Sequence, residues 1–309
     1  MALLAVGAAP LVAGCTASAD GGADGQIRQR VGAQAGSLAA LYGPAVAVAF
    51  AGFRDHHRAH QDTMLSGATT AILPASGKSP GAAAPRPVAQ QLPPAGLSAA
   101  ERAAMAAGAP DLGAASGRLA GLLVNIAACR ALHCAALDDS GKPGGTAAAA
   151  TALMADASAD ANNAEPPVVT PTPGDLAAAQ AILGAEHAAV YAYGALTPHL
   201  RGAQRDQAHE LYELHRQLRD TLETGIAAHG ATPAATVAAY AFPQQPDDAA
   251  SAQALARYVE SRVAAVCANA AVVTTSAGRP YASWAATGAC LRAYAWGAPI
   301  TAFPATVQA

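Results

Sequence analysis

Glu186, His215 and Glu260 are the residues of this chain whose types and spacing could do chemistry. Glu186 falls on one helical stripe with Ile182, Leu183, Val190 and Tyr193, so its carboxylate faces a core, where a buried acid requires a partner. His215 lies on the stripe of Ala208, Leu211, Leu218 and Leu222, and Glu260 stands beside Val259 and Val263. Glu213 and His209 are close to His215 in sequence but one step off its stripe. The last helical stretch, YASWAATGACLRAYAW, has no carboxylate and no histidine; Arg292 is its only charged residue. Such groups can ligate a divalent metal, iron for example, with Glu186, Glu213, His215 and Glu260 as ligands. They can instead form a buried Glu186–His215 pair joined by Tyr212 or Arg292. The second reading, without a resident cofactor, is the expectation, because a two-metal bundle site needs about six inward ligands and an arginine can replace a cation's charge.

A second cluster is Asp55-His56-His57-Arg58-Ala59-His60-Gln61-Asp62. His56 and His60 are four apart and share a helix face, and His133 is their candidate partner on a later helix, although Arg130 stands three residues before it where a Glu would complete a ligand pair. The cluster is read as solvent-facing or hydrogen-bonded histidines, with weak divalent-metal binding as the alternative. GxSxG, HExxH, Gly-rich phosphate loops and DxDxDG loops are missing, so no nucleophile or phosphate-binding motif is present. The Tyr191, Tyr193, Tyr281, Trp284, Tyr294 and Trp296 set sits at helical spacing and reads as core packing.

These residues need helices to position them, and the composition favours helices. The chain has 309 residues, of which 52% are hydrophobic but only 5% aromatic and 13% charged. Much of the apolar content is alanine, a strong helix former that buries little area. The formal net charge of −3 and the lack of a Lys/Arg block exclude a basic nucleic-acid binder. No strand-like alternation occurs, so the class is all-α.

In the first half, Gln26 to Met64 is helical with an interruption at Gly43-Pro44. A Pro/Gly/Ala/Ser loop runs from Pro74 to Pro94, and a helix resumes with Ser98 as N-cap and Glu101 as its capping-box partner. A break at Gly108-Ala109-Pro110 separates it from a helix over Leu112 to Leu137. In the second half, Asp175 caps a first helix that ends at Pro198 and Gly202. Gln204 to His229, Asp248 to Val273 and Tyr281 to Trp296 form the other three, making a four-helix bundle. The expected organisation is a signal segment at 1–15, a tether at 16–25, a helical region at 26–140, a linker at 141–173 and the bundle at 174–306.

The stretch Gln180-Ala-Ile-Leu-Gly-Ala-Glu186-His187-Ala-Ala-Val-Tyr191-Ala-Tyr193-Gly, followed by His215-Arg216-x-x-Arg219-Asp220, resembles a ferritin-like domain of unknown function found in actinobacterial proteins. Tyr240-Ala-Phe-Pro243 and Trp296-Gly-Ala-Pro-Ile-Thr-Ala-Phe-Pro304 are similar to it as well, so the resemblance covers about residues 174–306. It implies an all-α, ferritin-like bundle and no activity. The segment from Ala115-Ser-Gly-Arg-Leu-Ala-Gly-Leu-Leu to His133 resembles the upstream part of lipoproteins that carry this domain.

The opening MALLAVGAAPLVAGC places small residues directly before Cys15, and the polar TASADGGADG follows. This resembles a lipoprotein signal peptide, which would make Cys15 the lipidated N-terminus of the mature chain; an ordinary apolar N-terminal helix is the alternative. Two or three acyl chains would hold the protein stably on the outer face of the cell membrane. Export would permit disulfides, and Cys267 and Cys290, on consecutive helices, are the pair expected to bridge. The function expected is a non-catalytic binding or structural module of the cell envelope, with the membrane as its one assigned partner.

Overall fold

The computed structural model describes residues 22–42, 50–66, 92–139 and 174–306. Cys15 and the stretch 1–15 expected as a signal segment, most of the expected tether, the Gly43-Pro44 interruption and the expected linker at 141–173 lie outside the described residues. Every regular element among the described residues is a helix, with no strand. The first half holds α1 (Ala23–Leu41), α2 (Ala51–Leu65), α3 (Pro94–Ala114) and α4 (Gly117–Asp138). The second holds α5 (Leu176–Leu196), α6 (Ala203–Ala228), α7 (Ala249–Val273) and α8 (Arg279–Ala295), with a 3-10 turn at Thr197–His199.

The two sets of four helices pair on one plan. The first packs on the second and on the third, and the third packs on the fourth: α1 with α2 and α3, α3 with α4, then α5 with α6 and α7, α7 with α8. The first half is therefore a four-helix unit of its own. The two units share a wall, since α4 also packs against α7 and α8. α4 is long and apolar enough to cross a membrane, with a mean hydropathy of 1.6 over its most apolar window, yet 94% of that window is buried inside the protein. Its apolar content serves two neighbours at once: Leu119, Leu122 and Leu123 join a core with Ile27, Val31 and Met64, while Val124, Ala128 and Leu132 join the core of the second unit.

Further ties cross between the units. At the start of α8, the buried Arg279 guanidinium donates to the carbonyls of Leu112, Gly113 and Ala115 at 3.2, 3.1 and 2.6 Å, capping the end of α3. Beyond α8 the chain crosses the first unit, where Asn125 Oδ1 accepts from the Ala305 amide at 2.9 Å and His60 Nε2–H donates to the Ala302 carbonyl at 2.6 Å.

Three local expectations are corrected. Helix α3 begins at Pro94, not at a Ser98 cap, so Ser98 and Glu101 are buried mid-helix residues. It also continues through Pro110, whose ring is exposed, and breaks at Ala115-Ser116 instead. Asp175 stands at the N-cap of α5, but its carboxylate accepts from the Thr275 amide at 2.6 Å and the Thr275 hydroxyl at 2.9 Å, bracing the α7–α8 turn. Asp248, by contrast, caps α7 in a reciprocal box with Ser251.

The units also approach closely at Gly117, where an added Cβ would fall on the Val272 carbonyl oxygen of α7, a backbone atom that cannot step aside. Gly117→Ala is expected to cost about 1–3 kcal/mol, the usual penalty for overpacking, and to lower the melting temperature by several degrees. Thermal unfolding followed by circular dichroism checks this, and an unchanged midpoint would contradict the close packing of α4 on α7.

Candidate functional site

Each unit buries one polar network. In the second unit, Glu186 on α5, His215 on α6, Glu260 on α7 and Arg292 on α8 converge, none more than 6% exposed. The helical stripes that hold Ile182 and Leu183, Leu211 and Leu218, and Val259 and Val263 in the core carry these polar groups with them. His215 lies between the two acids: Nδ1–H donates to Glu186 Oε2 at 2.6 Å and Nε2–H to Glu260 Oε1 at 3.1 Å. Arg292 Nε–H donates to Glu260 Oε2 at 2.9 Å, the Tyr193 hydroxyl donates to Glu260 Oε1 at 2.8 Å, and Trp296 Nε1–H donates to that hydroxyl oxygen at 2.9 Å.

The charges balance. Burial disfavours the His215 imidazolium, but Glu260 and Glu186 outweigh it and push its pKa up to about 9. Burial likewise works to raise Glu260, but Arg292 and His215 prevail and hold it down at about 2. Two carboxylates face two cations, and no polar atom of these side chains is left buried without a hydrogen-bond partner.

Of the ligands weighed from sequence, the structure brings together Glu186, His215 and Glu260. Glu213 is corrected: it lies half-exposed on α6 and pairs with Arg216 at 3.1 Å, because one step around the helix turns it to solvent. Tyr212 also stays out, lying under the Arg216 guanidinium at 5.8 Å. Tyr193 and Trp296, assigned from spacing to packing alone, are hydrogen-bonding members of the network; their spacing carried no signal of that. Cys267 and Cys290 are both buried and free, so the bridge expected between them is not formed. They act as small apolar fillers of the alanine-rich seam between α7 and α8, and burial pushes the Cys290 thiol up to about 12.

The first unit repeats the arrangement with different chemistry. Tyr42 at the end of α1, His57 on α2, Glu101 on α3 and His133 on α4 converge, with Glu101, His57 and His133 fully buried. Glu101 Oε1 accepts from the Tyr42 hydroxyl at 2.8 Å, His57 Nε2–H at 2.6 Å and His133 Nδ1–H at 2.9 Å. A tyrosine from the first helix, a histidine from the second, a glutamate from the third and a base from the fourth recur, and the last two are 32 residues apart in both units. His133 thus takes the place that Arg292 has in the other unit. The arginine nearby, Arg130, turns away to Gln34 and the Ala104 carbonyl. Burial works to raise Glu101, but the hydrogen bonds from His133 and His57 outweigh it and hold its carboxyl far below the usual range.

The His56, His60 and His133 grouping is therefore half met. His56 Nδ1 reaches His133 Nε2 at 3.0 Å, whereas His60 is held by Ala302 away from that contact, because the α2 face divides between α4 and the C-terminal segment. Glu101 and His57 went unread in the sequence. The first was hidden by a capping-box pattern; the second stands one residue from the face counted.

A family model described as Domain of unknown function (DUF4439) matches residues 178–308, which span most of α5 to the C-terminal segment and less than half of the chain. No curated protein and no solved structure matches the chain.

The network of the second unit predicts a two-sided pH profile for stability. The unfolded imidazole loses its proton near 6.5 and folded His215 near 9, so its contribution is complete below pH 6.5 and disappears as pH rises through 9. Glu260 shifts from 4.5 to about 2, so its contribution holds above pH 4.5 and is lost as pH falls towards 2. The melting temperature should be flat between these windows and fall on both sides, and Arg292→Met should cost about 3–5 kcal/mol by leaving Glu260 short of its fixed cation. A flat alkaline limb in the wild type, or an Arg292→Met variant as stable as wild type, would contradict the charge assignment.

Proposed function

We propose that the chain is a cell-envelope lipoprotein, anchored through Cys15, whose ferritin-like C-terminal bundle is a metal-free, non-catalytic binding or structural module. The observation that carries the reading is the Arg292–Glu260 ion pair at 2.9 Å. A ferritin-like di-metal site draws one Glu from each of two helices and a Glu-x-x-His pair from each of the other two, and the carboxylates neutralise the cations. Here α8 contributes Arg292 instead of an acid, and α6 contributes His215 preceded at that spacing by Tyr212. With guanidinium and imidazolium facing Glu260 and Glu186, a divalent cation would bring excess positive charge and require His215 to lose its proton.

Localisation follows from the Val12-Ala13-Gly14-Cys15 sequence and the polar stretch after it. The buried thiols fit an exported protein too: with pKa values pushed up to about 12 at Cys134 and Cys290, little thiolate exists to be oxidised. The lipid-anchored chain meets the membrane as its partner, and the net charge of −3 leaves nucleic acid without a docking surface.

Two measurements test this. Clickable palmitate should label the wild type in its host and not Cys15→Ala, and equal labelling would remove the anchor. Elemental analysis by plasma mass spectrometry should give the same iron and manganese content for wild type and Glu186→Ala. Near-stoichiometric iron or manganese that disappears in the variant would replace this reading with a ferritin-like oxidase or metal-storage protein.

A further inference from the structure

The contrast between the two networks leaves the first unit with unmet polar valence. In the second unit no fully buried polar atom of Glu186, His215, Glu260 or Arg292 lacks a partner; in the first, Glu101 Oε2 and His57 Nδ1 have none, and both are buried. One contact there is over-subscribed. His133 Nδ1–H is committed to Glu101, which fixes the tautomer and leaves Nε2 with a single lone pair. Two groups face that lone pair: His56 Nδ1 at 3.0 Å and Cys129 Sγ at 3.4 Å.

We propose that His56 Nδ1, His133 Nε2 and Cys129 Sγ form a binding site for one zinc-class divalent cation. The three donor atoms lie within 4.8 Å of one another. Tetrahedral zinc, with bonds of about 2.05 Å to nitrogen and about 2.3 Å to sulfur, sets N···N edges of about 3.3 Å and N···S edges of about 3.6 Å. The two edges at His133 Nε2, 3.0 Å to His56 and 3.4 Å to Cys129, reach those lengths by opening a few tenths of an ångström. Two imidazoles and a thiolate are a borderline-soft set that selects zinc over calcium or magnesium. Three protein ligands leave a fourth position for water or an exogenous ligand.

The surroundings support these three groups as ligands. The Glu101–His133 hydrogen bond is the carboxylate–histidine pair that orients metal-bound imidazoles and raises their basicity. Tyr42 and His57 hold that carboxylate in turn. Phe53 stacks on the His133 ring at 3.9 Å between centroids and 12°, fixing its plane, and the His56 ring lies at 13° to it. His56 is partly exposed, which provides the entry path. On binding, the Cys129 thiol gives its proton to solvent, and His56 moves its ring proton from Nδ1 to Nε2, so the cation meets two neutral nitrogens and one thiolate. The site lies outside the residues that the family model matches and is independent of the reading of the second unit.

Cobalt is the probe. The full chain, stripped of metal with a chelator and kept reduced, should bind one equivalent of Co2+ with a thiolate-to-cobalt charge-transfer band in the near ultraviolet and intense visible bands of tetrahedral cobalt, all bleached by Zn2+. Cys129→Ser should lose the charge-transfer band. His56→Gln, a change at a partly exposed position that leaves the core packed, should weaken Co2+ binding at least about tenfold, and Glu101→Gln should keep the band while weakening binding about tenfold to a hundredfold. Glu186→Gln should leave the titration unchanged, which separates this site from the other network. No band from folded wild type, a band that survives in Cys129→Ser, or full affinity in His56→Gln would each overturn the proposal.

Discussion

The structure depends on burying a carboxylate in the middle of each four-helix unit. An ionised acid out of water is stable only when hydrogen bonds and opposite charge replace its hydration. Glu260 and Glu101 are both fully buried, and each draws a side chain from every other helix of its unit, or from the residue just beyond it, to meet that demand. The networks therefore fix rotation and register: turning any contributing helix by one residue would strand a charge. Apolar cores built largely of alanine specify register weakly, because one small side chain packs much like the next. The polar centre supplies what the alanine seams lack.

The two centres solve the same problem differently. In the second unit a guanidinium and an imidazolium face two carboxylates, and both nitrogens of the imidazole are committed as donors. In the first, a single carboxylate is held by a tyrosine and two histidines, and the imidazole on the fourth helix keeps an accepting nitrogen on its far side. Exchanging a base of fixed charge for one with a free lone pair, at one position of a repeated plan, separates a structural network from one suited to ligation.

The shared wall explains why the units form one body. α4 buries residues on nearly every side between Leu119 and Leu137, so neither unit alone would cover it. Arg279 and the segment after α8 add polar ties across the same boundary. An isolated α4 would have the length and hydropathy of a membrane helix; packed between two sets of partners, it is a core helix.

The helical class, the four helices of the second half and the inward placement of Glu186 and His215 were legible in the sequence, because apolar spacing reports which face of a helix is buried. The absence of an acid on the last helix, and Arg292 in its stead, could be read in the same way. What could not be read was which buried groups would meet. Glu101 sits in a Ser-x-x-Glu pattern that also marks a helix start, and only the helix beginning at Pro94 shows that it is an interior acid. Cys129 and His133 share a face four residues apart, but that they meet His56 depends on how α2 crosses α4. Local periodicity is a one-dimensional signal that sets inside and outside. Partners drawn from several helices are set by crossing angle and register, which exist only once the helices are packed.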